Sequence, residues 1–190
     1  MINKDESVGK DTSVNTKGVK GDSSTRKKVT PSNEKSPEIR EIRKEEAEAG
    51  AELISRLKRL NGEFDPLLQT SKSLDVDSLR ALKQAMESKN FVILVAVQGK
   101  DKVVGLVKAD IEDRVFYEPR KEGAIVEFYI LPEFRRGSLG KDLLNAMVDE
   151  LKKRGAVLIT AEFPSQNEIA KKFYTKLGFR SLTNVYAKQY

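Results

Sequence analysis

The chain has 190 residues, with 35 Lys and Arg against 29 Asp and Glu, and it contains neither Cys nor His. These two absences exclude a Cys–His dyad, a Ser–His–Asp triad, a Cys/His zinc site and any disulfide. Proton transfer near neutral pH must then use Asp, Glu, Lys, Tyr or water, because His is the one side chain that titrates there with an unshifted pKa. A carboxylate that acts as base would need a pKa raised by burial.

Hydropathy and net charge limit the location and the partners. The apolar runs, such as 91-FVILVAV-97, are too short to span a membrane, and Met1–Lys10 lacks the apolar core of a signal peptide. We therefore expect a cytoplasmic protein with no membrane partner and no bound metal. The net charge of +6 favours acidic ligands in a general way.

Residues 1–37 differ in composition from the rest of the chain. They are rich in Ser, Thr, Lys, Asp and Gly, and their few apolar residues follow neither a helical nor a strand period. We interpret them as a disordered basic tail; a binding arm is the alternative. Because the tail lacks interleaved basic and aromatic residues, we expect no nucleic-acid partner.

Residues 38–190 are predicted to form one domain of the α/β (α+β) class. Hydrophobic periodicity predicts strands at 38–43, 91–98, 103–113, 124–131 and 156–163, and helices at 44–60, 139–153 and 167–177. A further helix is predicted after the loop 61–73, with Asp75 or Asp77 as its cap and Leu79, Leu82 and Met86 on its inner face. Asn61-Gly62 is predicted to end the first helix, and 179–190 to form one or two edge strands. The strand–helix–strand unit at 124–163 implies a right-handed parallel crossover.

The first motif is 130-ILPEFRRGSLGKDLL-144, where a strand leads through a short loop into a helix that begins among small residues. Backbone N–H groups at a helix N-terminus bind phosphate, and Arg135, Arg136 and Lys141 add positive charge. A basic turn that merely starts a helix has the same pattern. A Walker loop is excluded because no Gly-Lys-Ser/Thr occurs at the required spacing.

With its flanking strand, the loop resembles the pyrophosphate loop of the GCN5-related N-acetyltransferase (GNAT) superfamily. In that pattern, Arg/Gln-x-x-Gly-x-Gly/Ala follows Pro-x-Tyr/Phe, and here Pro132-Glu-Phe134 precedes Arg135 and Gly140. Ser138 replaces the first Gly of the pattern, with Gly137 one residue earlier. A second family motif, Asn…Phe-Tyr-x-x-Leu-Gly-Phe, matches the segment from Asn167 to Phe179 in the expected order.

The resemblance covers about residues 38–190 and implies a mixed, mostly antiparallel sheet of about six to seven strands, splayed between strands four and five and flanked by about four helices. It also implies acetyl-CoA as co-substrate. The residues implied to contact it are the strand backbone of Phe128, Tyr129 and Ile130, the loop and helix start at Arg135, Arg136, Gly137, Ser138, Leu139, Gly140 and Lys141, and Asn167 and Tyr174 near the last helix.

In this family the substrate amine attacks the thioester directly, so no enzyme nucleophile is needed. Tyr174 matches the family tyrosine beside the CoA sulfur, which implies a general acid. For the base, Glu162 matches a position used in the protein N-terminal acetyltransferase branch, Glu127 is an alternative within an apolar strand, and a water chain is a third. Ala124 stands where the histone-acetylating branch has its Glu.

The resemblance therefore implies an acetyl-CoA-dependent N-acetyltransferase of a primary amine, with a protein N-terminus or a lysine as the expected acceptor. Acetylation of a small amine and non-catalytic binding of acyl-CoA are the alternatives. Plausible acceptor-lining residues are Phe64, Leu67, Leu68, Tyr129 and Tyr186.

Overall fold

The computed structural model describes residues 36–135 and 137–190. The segment predicted to be disordered, residues 1–37, lies outside the described residues except for residues 36 and 37. Arg136 also lies outside them. In the described part of the chain, no helix has the length and the apolar character needed to cross a membrane.

The described residues form five strands and four α-helices. In chain order these are β1 (Glu38–Glu41), α1 (Ala47–Phe64), α2 (Leu74–Glu87), β2 (Phe91–Gln98), β3 (Lys102–Asp113), β4 (Lys121–Ile130), α3 (Leu139–Lys153), β5 (Leu158–Ala161) and α4 (Glu168–Lys176). Short 3-10 turns occupy Lys44–Glu46, Pro66–Leu68 and Pro132–Phe134. The predicted order of helices and strands up to α4 is confirmed.

The strands form one sheet in the order β1-β2-β3-β4-β5. The first three pairs are antiparallel, and β4 pairs with β5 in parallel through the crossover helix α3. This confirms the mixed, mostly antiparallel sheet. The sheet has five strands in the described residues, fewer than the six to seven expected.

The missing strands are those predicted in 179–190, a segment that contains neither helix nor strand. Its apolar side chains Leu182, Val185 and Tyr186 are exposed. They do not alternate with a period of two, so no single strand face would carry all three. The prediction of edge strands here was wrong for this physical reason.

Helices cover both faces of the sheet. Leu106 of β3 lies under Gly50 of α1, whereas its neighbour Gly105 lies against Leu143 of α3. Because adjacent strand residues point to opposite faces, α1 and α3 lie on opposite sides of the sheet. The inner strand β2 is buried along nearly its whole length, which explains its unbroken apolar sequence.

Helix α1 continues past the end that was predicted for it at Asn61-Gly62. It runs to Phe64, and Asp65 then adopts an extended conformation with φ −151° and ψ 130°. The residue before a proline disfavours the helical region, so Pro66 is the physical cause of the helix end. The glycine at 62 is tolerated within the last turn.

Candidate active site

The two parallel strands separate halfway along β4. Their pairing runs from Glu122 with Leu158 to Ile125 with Ala161, and one more bond follows, from the Glu162 amide to the Ile125 carbonyl at 3.0 Å. On its other side, β4 stays paired with β3 as far as Ile130. Residues 126–130 therefore present an open backbone edge, which is the predicted splay between strands four and five.

A β-bulge at Val126 lies at the start of this open edge. Lys108 of β3 pairs with Glu127, and the next residue, Ala109, pairs with Ile125, so Val126 is the extra residue. Beyond the bulge, Glu127 points toward α1, where it contacts Lys58. Phe128 points to the opposite face, where it contacts α4.

Four aromatic rings surround Tyr174 of α4. Phe163 stacks on it with ring centroids 5.3 Å apart and an interplanar angle of 8°. Phe173 and Phe179 meet it edge-on at 5.3 and 5.2 Å, and Phe128 of β4 lies at 6.5 Å. The last helix is thereby packed against the open edge of β4.

Tyr174 is only 5% exposed, and this burial raises the pKa of its hydroxyl. The hydroxyl therefore stays protonated at neutral pH. Within the described residues it has no hydrogen-bond partner. It is consequently a protonated donor next to the open strand edge.

Glu127 is buried and paired with two lysines. Its carboxylate accepts from Lys108 Nζ at 2.8 Å and contacts Lys58 Nζ at 3.1 Å. Lys108 also lies over the Phe91 ring, with 4.7 Å from Nζ to the ring centroid. Neither lysine was predicted from the sequence. The available signal was a charged residue at 58 on the apolar face of α1 and another at 108 within an apolar strand.

Glu162 follows β5 immediately at the point of separation, and its side chain is exposed. It lies near a group of acidic side chains on β3 and β4. Burial first, and then the charges of Asp110, Glu122 and Glu162, raise the pKa of Glu112. Side chains two residues apart on a strand point to the same face, so Asp110 and Glu112 share the face of Lys108. This is the α1 face of the sheet, the face of Glu127.

The N-terminus of α3 lies beside the open edge. Its N-cap residue, Ser138, makes no side-chain capping bond, so the first amides of the helix remain available. Gly137 has open space around it, and Gly140 lies against Ile130 and Phe173. Leu139 is buried and anchors the turn, while Lys141 is exposed. This is the arrangement that the loop motif predicts for binding an anion.

Arg135 and Asn167, two predicted contacts, also have bonds within the protein. Arg135 Nε donates to the Ile130 carbonyl at 2.7 Å, and its guanidinium lies 4.9 Å from the Tyr129 ring centroid. Asn167 caps α4 by accepting from the Ala170 amide at 3.0 Å. The side-chain NH2 group of Asn167 can still donate a hydrogen bond to another partner.

A CoA thioester fits these features. The open edge of β4 offers unpaired backbone groups to the amides of a pantetheine arm, and the uncapped α3 terminus offers N–H groups to a pyrophosphate. The Tyr174 hydroxyl can donate to a departing sulfur. The structure thus brings together Phe128, Ile130, Gly140 and Tyr174, whereas it places Glu127 and Glu162 on the other face.

The sequence matches the acetyltransferase (GNAT) family over residues 55–179. This match covers more than half of the chain, and together with the splayed sheet it shows that the chain belongs to the GNAT acetyltransferase family.

Curated relatives match over shorter stretches. The ribosomal protein bS18-alanine N-acetyltransferase of Escherichia coli is 34% identical over 62 residues, which are 33% of this chain and 42% of that protein. An uncharacterised N-acetyltransferase of Methanocaldococcus jannaschii is 33% identical over 78 residues, 41% of this chain and 34% of that protein. The chain therefore aligns with less than half the length of these relatives.

Solved structures share the fold across most of the chain. A transcriptional regulator from Bacillus halodurans has a TM-score of 0.63 at 22% identity, covering 81% of this chain and 99% of that one. The aminoglycoside N-acetyltransferase AAC(6')-Iy in complex with CoA has a TM-score of 0.65 at 18% identity, covering 85% and 99%. At these identities the likeness is one of fold.

Proposed function

We propose that the protein is an acetyl-CoA-dependent N-acetyltransferase that acetylates a primary amine, with a protein N-terminus or a lysine as its acceptor. The observation that carries the proposal is the open edge of β4 at residues 126–130. Its Ile130 side chain contacts the start of α3 at Gly140, and its Phe128 ring packs against the Tyr174 ring. Family membership supports the same chemistry.

The proposed roles divide between the two faces of the sheet. On the α4 face, the protonated Tyr174 hydroxyl acts as general acid toward the leaving thiolate. On the α1 face, Glu162 lies at the strand separation and accepts the proton of the acceptor ammonium. Its side chain is exposed, so the burial that a carboxylate base needs must come from the bound acceptor. Glu127 is the alternative base, and its two lysine partners make it less available.

The cofactor contacts follow the motif. Backbone groups of Phe128, Tyr129 and Ile130 would hold the pantetheine arm, and the amides from Gly137 to Lys141 would hold the pyrophosphate. Arg136, which belongs to the same predicted set, adds charge to this loop. Acetyl-CoA supplies the activated acyl group, and the protein positions and neutralises the reacting charges.

Charge and polarity on the α1 face favour an amine acceptor. The acidic group around Glu162 attracts an ammonium ion. Asn61, three residues after Lys58 on α1, has a buried Oδ1 without a partner among the described residues. Such an oxygen can accept a hydrogen bond from an acceptor N–H group.

The test is thiol release from acetyl-CoA by the full chain with three matched acceptors. One peptide has a free N-terminus and no lysine, a second has a blocked N-terminus and one internal lysine, and the third acceptor is an aminoglycoside. The proposal is supported if thiol release is faster with either peptide than with the aminoglycoside. Turnover of the aminoglycoside alone favours a small amine, and binding of acetyl-CoA without turnover of any acceptor identifies a binding module.

A further inference from the structure

Lys58 already provides a primary amine on the acceptor side of the site. Its Nζ lies 3.1 Å from Glu127 Oε1, and its side chain is 38% exposed. A primary amine beside a carboxylate is the arrangement that the proposed reaction requires of its acceptor. Lys58 therefore has the chemistry and the position of an internal substrate.

Lys108, the other partner of Glu127, differs in its freedom to move. Its side chain is 13% exposed and is held between Glu127, at 2.8 Å, and the Phe91 ring. Lys58, by contrast, has Glu127 as its ion-pair partner among the described residues, and 38% of its side chain is exposed to solvent. Of the two ammonium groups, Lys58 is the one that can turn toward a bound ligand.

The distance from Lys58 to the open strand edge is short. Glu127 is two residues beyond Ile125, the last residue of β4 that pairs with β5. Glu127 is itself one of the open-edge residues 126–130, so Lys58 Nζ, 3.1 Å from its carboxylate, already lies beside the stretch of β4 where the thioester is proposed to bind, on its α1 face.

We propose that Lys58 is a self-acetylation site. This inference rests on the proposed function. Lys58 Nζ gives one proton to Glu127, and its lone pair forms the N–C bond with the acetyl carbonyl. The C–S bond breaks, the electron pair leaves with sulfur, and the sulfur gains a proton from Tyr174. The nitrogen loses its second proton to water, water returns a proton to the Tyr174 oxygen, and Glu127 releases its proton to water. The products are Nε-acetyl-Lys58 and free CoA.

Acetylation of Lys58 also changes the charge around Glu127. The carboxylate keeps Lys108 and loses the charge of its other partner. The modified protein therefore has a less neutralised carboxylate on its acceptor face, where an external ammonium would bind more readily.

The test incubates the full chain with acetyl-CoA and follows acetyl occupancy at each lysine by peptide mass mapping. Lys58 is expected to react at least about 10-fold faster than Lys83, an exposed lysine on α2, because the reaction is intramolecular. Its first-order rate should not change when the protein is diluted. Glu127→Gln and Tyr174→Phe should each slow it.

Lys58→Arg is the matched variant, since arginine keeps the ion pair with Glu127 but offers no acylable primary amine. Equal rates at Lys58 and Lys83, or a Lys58 rate that falls on dilution, would overturn self-acetylation. If an external amine is turned over while Lys58 stays unmodified, only the internal acceptor is wrong. If acetyl-CoA neither binds nor releases thiol, the proposed function fails together with it.

Discussion

The Glu162 amide donates to the Ile125 carbonyl at 3.0 Å, and within the described residues this is the last bond between the two parallel strands. One side of this bond is closed sheet, and the other is the open edge of β4. Glu162 therefore lies where the two strands separate, the position at which we propose that it acts as base.

Glu162→Gln is expected to lower kcat by about 100-fold, the usual contribution of a general base. Because the side chain is exposed, the free energy of unfolding should change by less than about 0.5 kcal/mol. Thiol release and thermal unfolding of the same preparation measure the two quantities. Glu168→Gln, a change at an exposed glutamate in the first turn of α4, is the control and should leave kcat unaltered.

Glu127→Gln separates the two candidate bases. It leaves Lys58 and Lys108 without their counter-ion, so we expect a clear loss of stability and a smaller loss of kcat than in Glu162→Gln. The comparison uses kcat at a temperature where both variants are folded. A larger loss of kcat in Glu127→Gln would transfer the role of base to Glu127.

Tyr174→Phe is expected to lower kcat by about 100-fold while the protein stays folded. Phenylalanine keeps the ring contacts with Phe163, Phe173 and Phe179 and removes only the hydroxyl. Calorimetry with CoA should show unchanged affinity, because the hydroxyl acts on the reacting sulfur.

The pH dependence of activity is a second test of the role of Tyr174. Burial raises the pKa of this tyrosine, so its hydroxyl keeps its proton throughout the neutral and mildly basic range. The loss of activity in Tyr174→Phe should then be uniform over that range. A basic limb that is present in the wild type and disappears in the variant would contradict the raised pKa, although it would still identify Tyr174 as the acid.

The sequence was sufficient for the features that depend on local patterns. Periodicity predicted α3, with Leu143, Met147 and Leu151 buried, and the buried strand β2. The loop motif predicted a turn that leads into α3, and the last helix was predicted to begin at Asn167. These features are local because helix periodicity, caps and turns involve residues within a few positions of one another.

The features that the sequence did not predict depend on contacts between distant segments. Lys58, Lys108 and Glu127 come from α1, β3 and β4, so no spacing rule connects them. The bulge at Val126, which sets the direction of the Glu127 side chain, depends on register with β3. The same holds for Arg135, which folds back onto Ile130 although its motif predicts a phosphate contact.

Gly140→Ala and Gly140→Glu together test the phosphate role of the α3 terminus. A Cβ there would meet Ile130 at 3.5 Å, an ordinary contact, and alanine is the better helix former. Stability should therefore be kept or raised. The family pattern accepts Ala at this place, so the Kd for CoA should not change in Gly140→Ala. Gly140→Glu, which puts a carboxylate beside the amides proposed to bind pyrophosphate, should raise the Kd by about 10-fold, or about 1.4 kcal/mol.

Gly123→Ala is the matched control with the opposite expectation. A Cβ at Gly123 would lie 2.8 Å from a methyl group of the buried Leu151. This overpacking should cost about 1–3 kcal/mol of stability and leave the Kd of the folded protein unchanged. If CoA affinity falls equally in Gly140→Glu and Gly123→Ala, the effect at Gly140 is structural.

Glu46 makes stability depend on pH. Its buried carboxylate accepts from Arg40 Nη2 at 2.6 Å and Nη1 at 2.8 Å and from the Arg43 amide at 2.8 Å. The Arg40 hydrogen bonds hold the pKa of Glu46 below its usual value. A lowered folded-state pKa adds stability above the unfolded pKa, and that stability is lost as the pH falls through the folded pKa.

Glu46→Gln should lower the free energy of unfolding by about 2 kcal/mol at pH 7, because a charged acceptor is removed from a buried pair. The difference from wild type should shrink as the pH is lowered below about 4.3, where unfolded glutamate is protonated, and on through the lower folded pKa. Urea unfolding between pH 7 and pH 3 measures both curves. In Glu48→Gln, a change at an exposed position on α1, the free energy of unfolding should vary with pH as it does in the wild type. A constant difference between Glu46→Gln and wild type at every pH would show that Glu46 stabilises through packing, because only a charged carboxylate loses its advantage on protonation.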